Sequence, residues 1–380
     1  MNAQIRVALD VRPLALDAAG GVGLLISELL DEMPRCGVRY VGVSDRHVPA
    51  GRIPPEIPIE VAGPTGRRIR WELQVLPNLL RALDPPPDLF HATWNHGVPR
   101  SLPMPSVLTL HDLIPWMLPS MVPWPRPSWL HRWLYRRAVR GSAGRAAVIT
   151  TVSEASRRDI TARIPGAAAR VCVVPNAVPR WFAAPPPPAV EACRATHGDP
   201  YWLYLGGFDP RKGLTTLLSA MAAAFPADRG PTLVLAGGRN EHARACEAMA
   251  ESLGVRVRFP GYVPDLDLPA LFAGASLFVY PSRYEGFGIP PLLALAAGTP
   301  CITTDGGALP EVVGDAAWVV PAGDARALST ALRRAAEEPA ALRALAEAGP
   351  RRAAAFSAEA LRERMLRVYE RALGRRGASA

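Results

Sequence analysis

Lysine is almost missing from this chain: of its 43 cationic side chains, 42 are arginine and one, Lys212, is lysine. Such a skew suggests that arginine stands wherever either cation serves, and Lys212 is read as a place where a compact ammonium on a flexible stem is wanted, as in a point contact to phosphate; the alternative is a solvated loop lysine left by chance. Cysteine is scarce too. Cys36, Cys172, Cys193, Cys246 and Cys301 are scattered, odd in number and without paired spacing. That argues against a disulfide framework or a zinc site and points to the reducing cytoplasm. No apolar run reaches the length of a membrane span, and the first residues open on a strand-like Ile5-Arg6-Val7-Ala8-Leu9 rather than a signal peptide. A soluble, cytoplasmic protein is expected.

What is present is enough apolar material for two cores: 380 residues, 49% of them hydrophobic. The formal charge of +9 is uneven. Residues 1–180 hold 22 arginines against 14 acidic residues, whereas residues 181–380 hold 21 cations against 20. An excess confined to one half suggests an anionic partner there, a membrane surface or an acidic substrate. Nucleic acid is not expected, because the arginine clusters carry no recognisable binding motif and the nearby Trp129, Trp133 and Tyr135 lie at helical spacing. The stretch 129–145 reads as a helix that packs its tryptophans into the core and solvates its arginines, with a membrane-surface helix as the alternative.

Strand-like runs at 5–9, 40–43, 89–91, 106–110, 147–152 and 171–174 alternate with helical patterns, as in a parallel sheet with crossover helices. A second series follows at 201–205, 232–236, 255–259, 277–280, 300–304 and 317–319. Between the two series stands Pro185-Pro186-Pro187-Pro188, read as a stiff connector. The expected organisation is a domain over 1–183, a proline-rich linker over 184–200, a second domain over 201–355, and a C-terminal helical segment over 356–380 that packs back toward the first domain. Two doubly wound α/β domains of this kind bind ligands at the C-terminal ends of their strands, which makes the cleft between them the expected active site.

Lys212 lies in Gly206-Gly207-Phe208-Asp209-Pro210-Arg211-Lys212-Gly213, between an apolar strand and a helix, where anions bind. The most specific segment is Pro281-Ser282-Arg283-Tyr284-Glu285-Gly286-Phe287-Gly288-Ile289-Pro290-Pro291, whose glycines allow close backbone approach and whose following helix offers free N–H groups. Glu285 has a duller reading as a helix-capping acid. His111, in Thr109-Leu110-His111-Asp112-Leu113-Ile114-Pro115, is either a core histidine or a functional one. His91 and His96 are left as structural or acceptor-loop residues.

With Gly20-Gly21-Val22-Gly23, Thr151-Val152-Ser153-Glu154-Ala155-Ser156, Val174-Pro175-Asn176-Ala177-Val178, Gly298-Thr299-Pro300 and Gly307-Ala308-Leu309-Pro310-Glu311, these segments resemble the family-4 retaining glycosyltransferases of GT-B fold over nearly the whole chain. The resemblance implies two Rossmann-like domains facing across a cleft, a nucleotide-sugar donor (GDP- or UDP-linked), a sugar or lipid-linked acceptor, no cofactor and no metal. It implies that Lys212 and Arg211 neutralise the donor diphosphate beside Gly206 and Gly207, and that Glu285 contacts the donor sugar or its phosphates. The amides of Gly286, Phe287, Gly288 and Ile289 would bind sugar hydroxyls and phosphate, and the backbone near Tyr262 and Val263 the base. His111 would lie near the reacting sugar, and a first loop at Gly20, Gly21 and Gly23 would admit acceptor and phosphate. His111, Glu285 and Lys212 would be the catalytic set. The motifs look most like mannosyl- and rhamnosyltransferases of bacterial polysaccharide assembly, possible on the inner face of a membrane.

The chain departs from the family pattern at two places. The second glutamate of the paired signature is replaced by Leu293, and an arginine frequent in the phosphate loop by Gly207. The loss at Leu293 motivates a rival reading, a catalytically silent homologue that binds a sugar-nucleotide or a partner transferase. A nicotinamide-dependent dehydrogenase is set aside: the glycine cluster comes ten residues after the first strand, and the second strand is read as ending without an acid.

Overall fold

The structure is a computed structural model that describes residues 4–16, 20–63, 70–121, 128–226 and 230–374. It divides into two compact units, Met1–Trp116 with Pro127–Pro179 and Ser357–Ala380, and Met117–Arg126 with Arg180–Phe356. In the first, strands β1 (Ile5–Asp10), β2 (Val38–Ser44), β3 (Ile59–Val61), β4 (Leu89–Ala92), β5 (Ser106–Thr109), β6 (Val148–Thr151) and β7 (Val171–Val173) form one parallel sheet. Its order is β3-β2-β1-β4-β5-β6-β7. The second unit holds β8 (Tyr201–Leu205), β9 (Thr232–Ala236), β10 (Val257–Gly261), β11 (Leu277–Tyr280), β12 (Cys301–Thr304) and β13 (Trp318–Val320), in the order β10-β9-β8-β11-β12-β13.

Central strands such as Val148–Thr151 and Leu277–Tyr280 are buried at every position. Helices cover both faces of a parallel sheet, so an uninterrupted apolar or β-branched run suits it. Strand β3 escaped the sequence reading because it is a three-residue edge strand with no buried residue. In each sheet the winding reverses once, between β1 and β4 and between β8 and β11. Loops leaving such adjacent strands diverge and open a crevice at their C-terminal ends.

Three expectations need correction. The segment 184–200 is not an extended linker: Pro187–His197 is a helix of the second unit, packed against the helix Leu268–Gly274, with Arg194 Nε donating to the Gly274 carbonyl at 3.4 Å. Proline at the first positions of a helix forfeits only N–H groups that have no partner there, so the proline run starts the helix instead of forbidding it. Gly20, Gly21 and Gly23 do not form a loop but the first turn of the helix Gly20–Glu32. An acid does follow β2: Asp45 is buried and pairs with Arg46 Nε at 2.9 Å. The case against a dinucleotide fold then rests on the end of β1, where Asp10-Val11-Arg12 replaces a glycine turn.

The helix Ala358–Ala372 belongs to the first unit and buries Leu361, Met365, Val368 and Tyr369 in its core. Tyr369 continues a buried polar chain. Its hydroxyl lies 2.9 Å from Tyr40 OH and 2.9 Å from His91 Nδ1, while His91 Nε2 meets Thr109 Oγ1 at 2.7 Å and that hydroxyl meets Thr150 Oγ1 at 2.8 Å. His91 is therefore structural. No helix among the described residues is long and apolar enough to cross a membrane.

Candidate active site

The loops leaving β8 and β11 meet at the switch point of the second sheet. Pro210–Lys212 forms a single 3-10 turn stopped by Gly213, whose φ of +70° is left-handed. A Cβ there would fall 2.1 Å from the Pro281 carbonyl oxygen, so only glycine lets the two loops touch. They are joined at once by the Arg283 N–H, which donates to the Arg211 carbonyl at 2.7 Å. Lys212 is thereby carried to Glu285, 73 residues further along the chain.

Four side chains converge on the buried Glu285 carboxylate. Oε1 accepts from Lys212 Nζ at 2.8 Å, Ser282 Oγ at 2.6 Å and Tyr280 OH at 3.2 Å; Oε2 lies 2.7 Å from Arg211 NH1. Burial by itself would raise the Glu285 pKa, but the Lys212 and Arg211 charges, with hydrogen bonds from Lys212 and Ser282, outweigh it and hold it at about 2. Glu285 is ionised at neutral pH. Three of these donors share Oε1 and one reaches Oε2, so the carboxylate is tied mainly through one oxygen. So placed, Glu285 orients its two cations.

Those cations keep donors in reserve. The Lys212 ammonium donates to Glu285 and, at 2.7 Å, to Tyr280 OH, which leaves one of its three hydrogens. Arg211 also donates to the Tyr284 carbonyl at 2.7 Å, while its buried Nε has no hydrogen-bond partner. Asp209 stands 3.6 Å from that Nε, with Oδ1 equally unpartnered. Burial raises the Asp209 pKa against the pull of Arg211 and Lys212.

The loop after β12 closes the third side. Glu285 N–H donates to the Gly306 carbonyl at 3.3 Å, and Ala308 N–H to that of Glu285 at 3.0 Å. Beyond Glu285, Gly288 (φ +113°) caps the helix Ile289–Ala296. Pro290 and Pro291 carry no N–H, so this helix start has fewer unpaired amides than a helix start normally offers. Leu293 is buried in the same helix. Gly206 and Gly207 follow β8 directly. Tyr262 and Val263 follow the edge strand β10, and Tyr262 is 71% exposed.

In the first unit, His111 follows β5. Its Nε2 donates to the Thr93 carbonyl at 3.0 Å, which leaves Nδ1 as the ring's acceptor, and burial lowers its pKa to about 4 despite that bond. The ring is neutral at pH 7 and suited to accept a hydrogen bond. Asn95 fixes the backbone that carries the ring: Oδ1 accepts the His111 backbone N–H at 2.9 Å, and Nδ2 donates to the Asp112 carbonyl at 3.0 Å. Asp112 caps the next turn by accepting the Ile114 N–H at 2.9 Å. His96 faces Glu72 at 3.1 Å. At the end of β1, Arg12 and Asp10 form a buried bidentate pair at 2.9 and 2.6 Å.

In the second unit Arg211, Lys212 and Glu285 come into contact, with Gly206 and Gly207 at the end of β8 and 286–289 following Glu285; in the first, His111 stands just beyond β5. Sequence reasoning missed Tyr280, Ser282, Asp209 and Asn95. Ser282, three residues before Glu285, was the one with a local signal.

Residues 19–180 match Glycosyltransferase Family 4, and residues 191–352 match the glycosyl transferases group 1. The chain is 36% identical over 235 residues to O-antigen chain mannosyltransferase B of Escherichia coli, a match covering 59% of each protein. It is 36% identical over 172 residues to MMP alpha-(1->4)-mannosyltransferase of Mycolicibacterium hassiacum, covering 44% of this chain and 41% of that protein. The chain thus spans less than two thirds of the length of these relatives. Among solved structures, Anabaena HepE in complex with UDP and glucose is similar with a TM-score of 0.76 at 18% identity, covering 96% of this chain and 99% of that one. Sucrose-phosphate synthase from Thermosynechococcus elongatus gives 0.74 at 22%, covering 97% and 98%. At such identities the likeness is one of fold, and that fold is GT-B with two Rossmann-like units.

Proposed function

We propose that this chain, which belongs to the family-4 and group 1 glycosyltransferases, moves a hexosyl group from a nucleotide-sugar to an acceptor alcohol with retention of configuration. The observation that carries the reading is the Lys212–Glu285–Arg211 constellation at the switch point, two cations oriented by one ionised carboxylate, each with donors to spare. Such a site suits a diphosphate leaving group. In the step proposed, the acceptor oxygen bonds to the anomeric carbon on the face from which the diphosphate departs. The bond from that carbon to the diphosphate breaks, and the acceptor's proton passes to a diphosphate oxygen. Lys212 and the amides of 287–289 hold the developing charge, while neutral His111 accepts a hydrogen bond from a sugar hydroxyl. The donor is read as GDP-mannose, supported by the mannosyltransferases among the relatives, and the setting as polysaccharide or glycoconjugate assembly with a sugar or lipid-linked acceptor.

Transfer assays across GDP- and UDP-sugars, with the anomeric configuration of the product read by NMR, test each part. An inverted product would overturn retention, and UDP-glucose as the best donor would overturn mannose. A second reading, a silent homologue that only binds, is favoured by Leu293, an apolar side chain buried where the family pattern has a glutamate. Tight nucleotide binding with neither transfer nor donor hydrolysis would establish it.

A further inference from the structure

The helix Trp129–Arg145 does not bury its tryptophans as its spacing predicts. Only Val139, Ser142 and Ala143 reach the core, all in its second half. Over the first half, Trp129 is 78% exposed, Leu130 45%, Trp133 51% and Leu134 45%. Isolated exposed apolar residues are ordinary, but four within six positions are not. Trp129 lies above Trp133 and Leu130 above Leu134, each pair four residues apart, so the four form one stripe about two turns long. Ser128 fixes the start of this helix, its Oγ accepting the His131 N–H at 3.3 Å.

The charges beside the stripe are of one sign. Arg132, Arg136 and Arg140 make a flanking row, and Arg137 prolongs the tryptophan column with its guanidinium 5.6 Å from the Trp133 ring. Arg136 and Arg140 are held over Trp116 at 5.5 and 4.7 Å. The helix contains no Asp or Glu, and among the described residues none of these four arginines makes an ion pair. A partner must therefore accept apolar rings and supply negative charge on the same face. A second copy of the chain would set two cationic helices against each other, whereas an anionic bilayer offers phosphates at the depth where tryptophan rests and arginine snorkels. The basic excess of residues 1–180 adds long-range attraction toward such a surface.

We propose that Trp129, Leu130, Trp133 and Leu134 seat this helix in the interface of an anionic lipid membrane, with Arg132, Arg136, Arg137 and Arg140 on its headgroup phosphates. The proposal does not depend on the transferase reading, since it concerns neither donor nor turnover. Flotation of the full chain with phosphatidylcholine vesicles, with and without phosphatidylglycerol, tests it. The unaltered protein should float with the anionic vesicles and be released as salt rises, since screening shortens to about 3 Å at 1 M. Trp129→Ser/Trp133→Ser and, separately, Arg132→Gln/Arg137→Gln should each lower recovery about ten-fold. Melting temperature and donor hydrolysis should stay unchanged, because these side chains lie in solvent. Equal or absent recovery on both vesicle types overturns the proposal, as does a tryptophan variant that floats like the parent. So does light scattering in which that variant turns a dimer into a monomer, which would give the stripe to a second copy.

Discussion

The Lys212 ammonium is bound to Glu285 and Tyr280 and keeps its third hydrogen for a ligand, an arrangement that uses the compactness of an ammonium. Lys212→Ala should reduce turnover by about a hundred-fold or more, the scale of a lost electrostatic stabiliser. Lys212→Arg should be nearly as poor, because a planar fork cannot aim three donors at three points; near-parental activity of that variant would refute the role given to the lone lysine. Glu285→Gln removes the charge that holds both cations and leaves the site more positive. Its kcat should fall by about ten-fold or more while nucleoside diphosphate binds as tightly or tighter, and steady-state kinetics with calorimetry separate the two. Leu293 cannot accept a hydrogen bond from ribose, a bond worth about 1.5–3 kcal/mol when charge-assisted. The protein should therefore prefer ribo- over 2′-deoxynucleoside diphosphate by less than about ten-fold in calorimetry. A strong preference would mean that another group has taken over the ribose.

Between elements, the site depends on one close approach. Gly213→Ala would drive a Cβ into the Pro281 carbonyl and force a left-handed backbone on alanine. The expected result is a loss of at least about 1 kcal/mol in stability together with loss of activity, because Lys212 is displaced when the loops separate. A variant that melts like the parent and stays active would show that the loops need not touch. At this scale the sequence was legible where both faces of an element are buried and misleading where one end is special. The buried strands could be read from their apolar runs, but Pro185-Pro186-Pro187-Pro188 starts a helix and Gly20-Gly21-Val22-Gly23 begins one. Proline and glycine report backbone permission, which a helix start uses as readily as a loop.

Across the first unit, stability is tied to two buried, neutral histidines. Burial lowers the His91 pKa from 6.5 to about 3, with His111 adding to the effect, and lowers His111 to about 4. In the unfolded chain both take a proton near their ordinary 6.5, so between that value and the folded values the unfolded state binds more protons. Stability should therefore be full above pH 6.5 and fall as the pH drops toward 4 and then 3. Thermal melts over that range check the sign, and His91→Gln should flatten the dependence. The C-terminal helix is part of the same arrangement, since Tyr369 bonds His91 across 278 residues of chain.

The sequence by itself determined the two α/β units, their strands except the edge strand β3, and the loop positions of Lys212 and of Glu285 beside Gly286-Phe287-Gly288. All of these are written in local periodicity, in glycine placement and in one residue type used once. Tertiary structure alone decided the rest. That Glu285 holds Lys212 and Arg211 follows from the loop after β8 meeting the end of β11 and the loop that leaves it. That Asn95 fixes His111, that Tyr369 reaches His91, and that Trp129 and Trp133 face solvent all depend on which surfaces the folded core covers. Periodicity names the face of a helix, and only packing says whether anything lies against it.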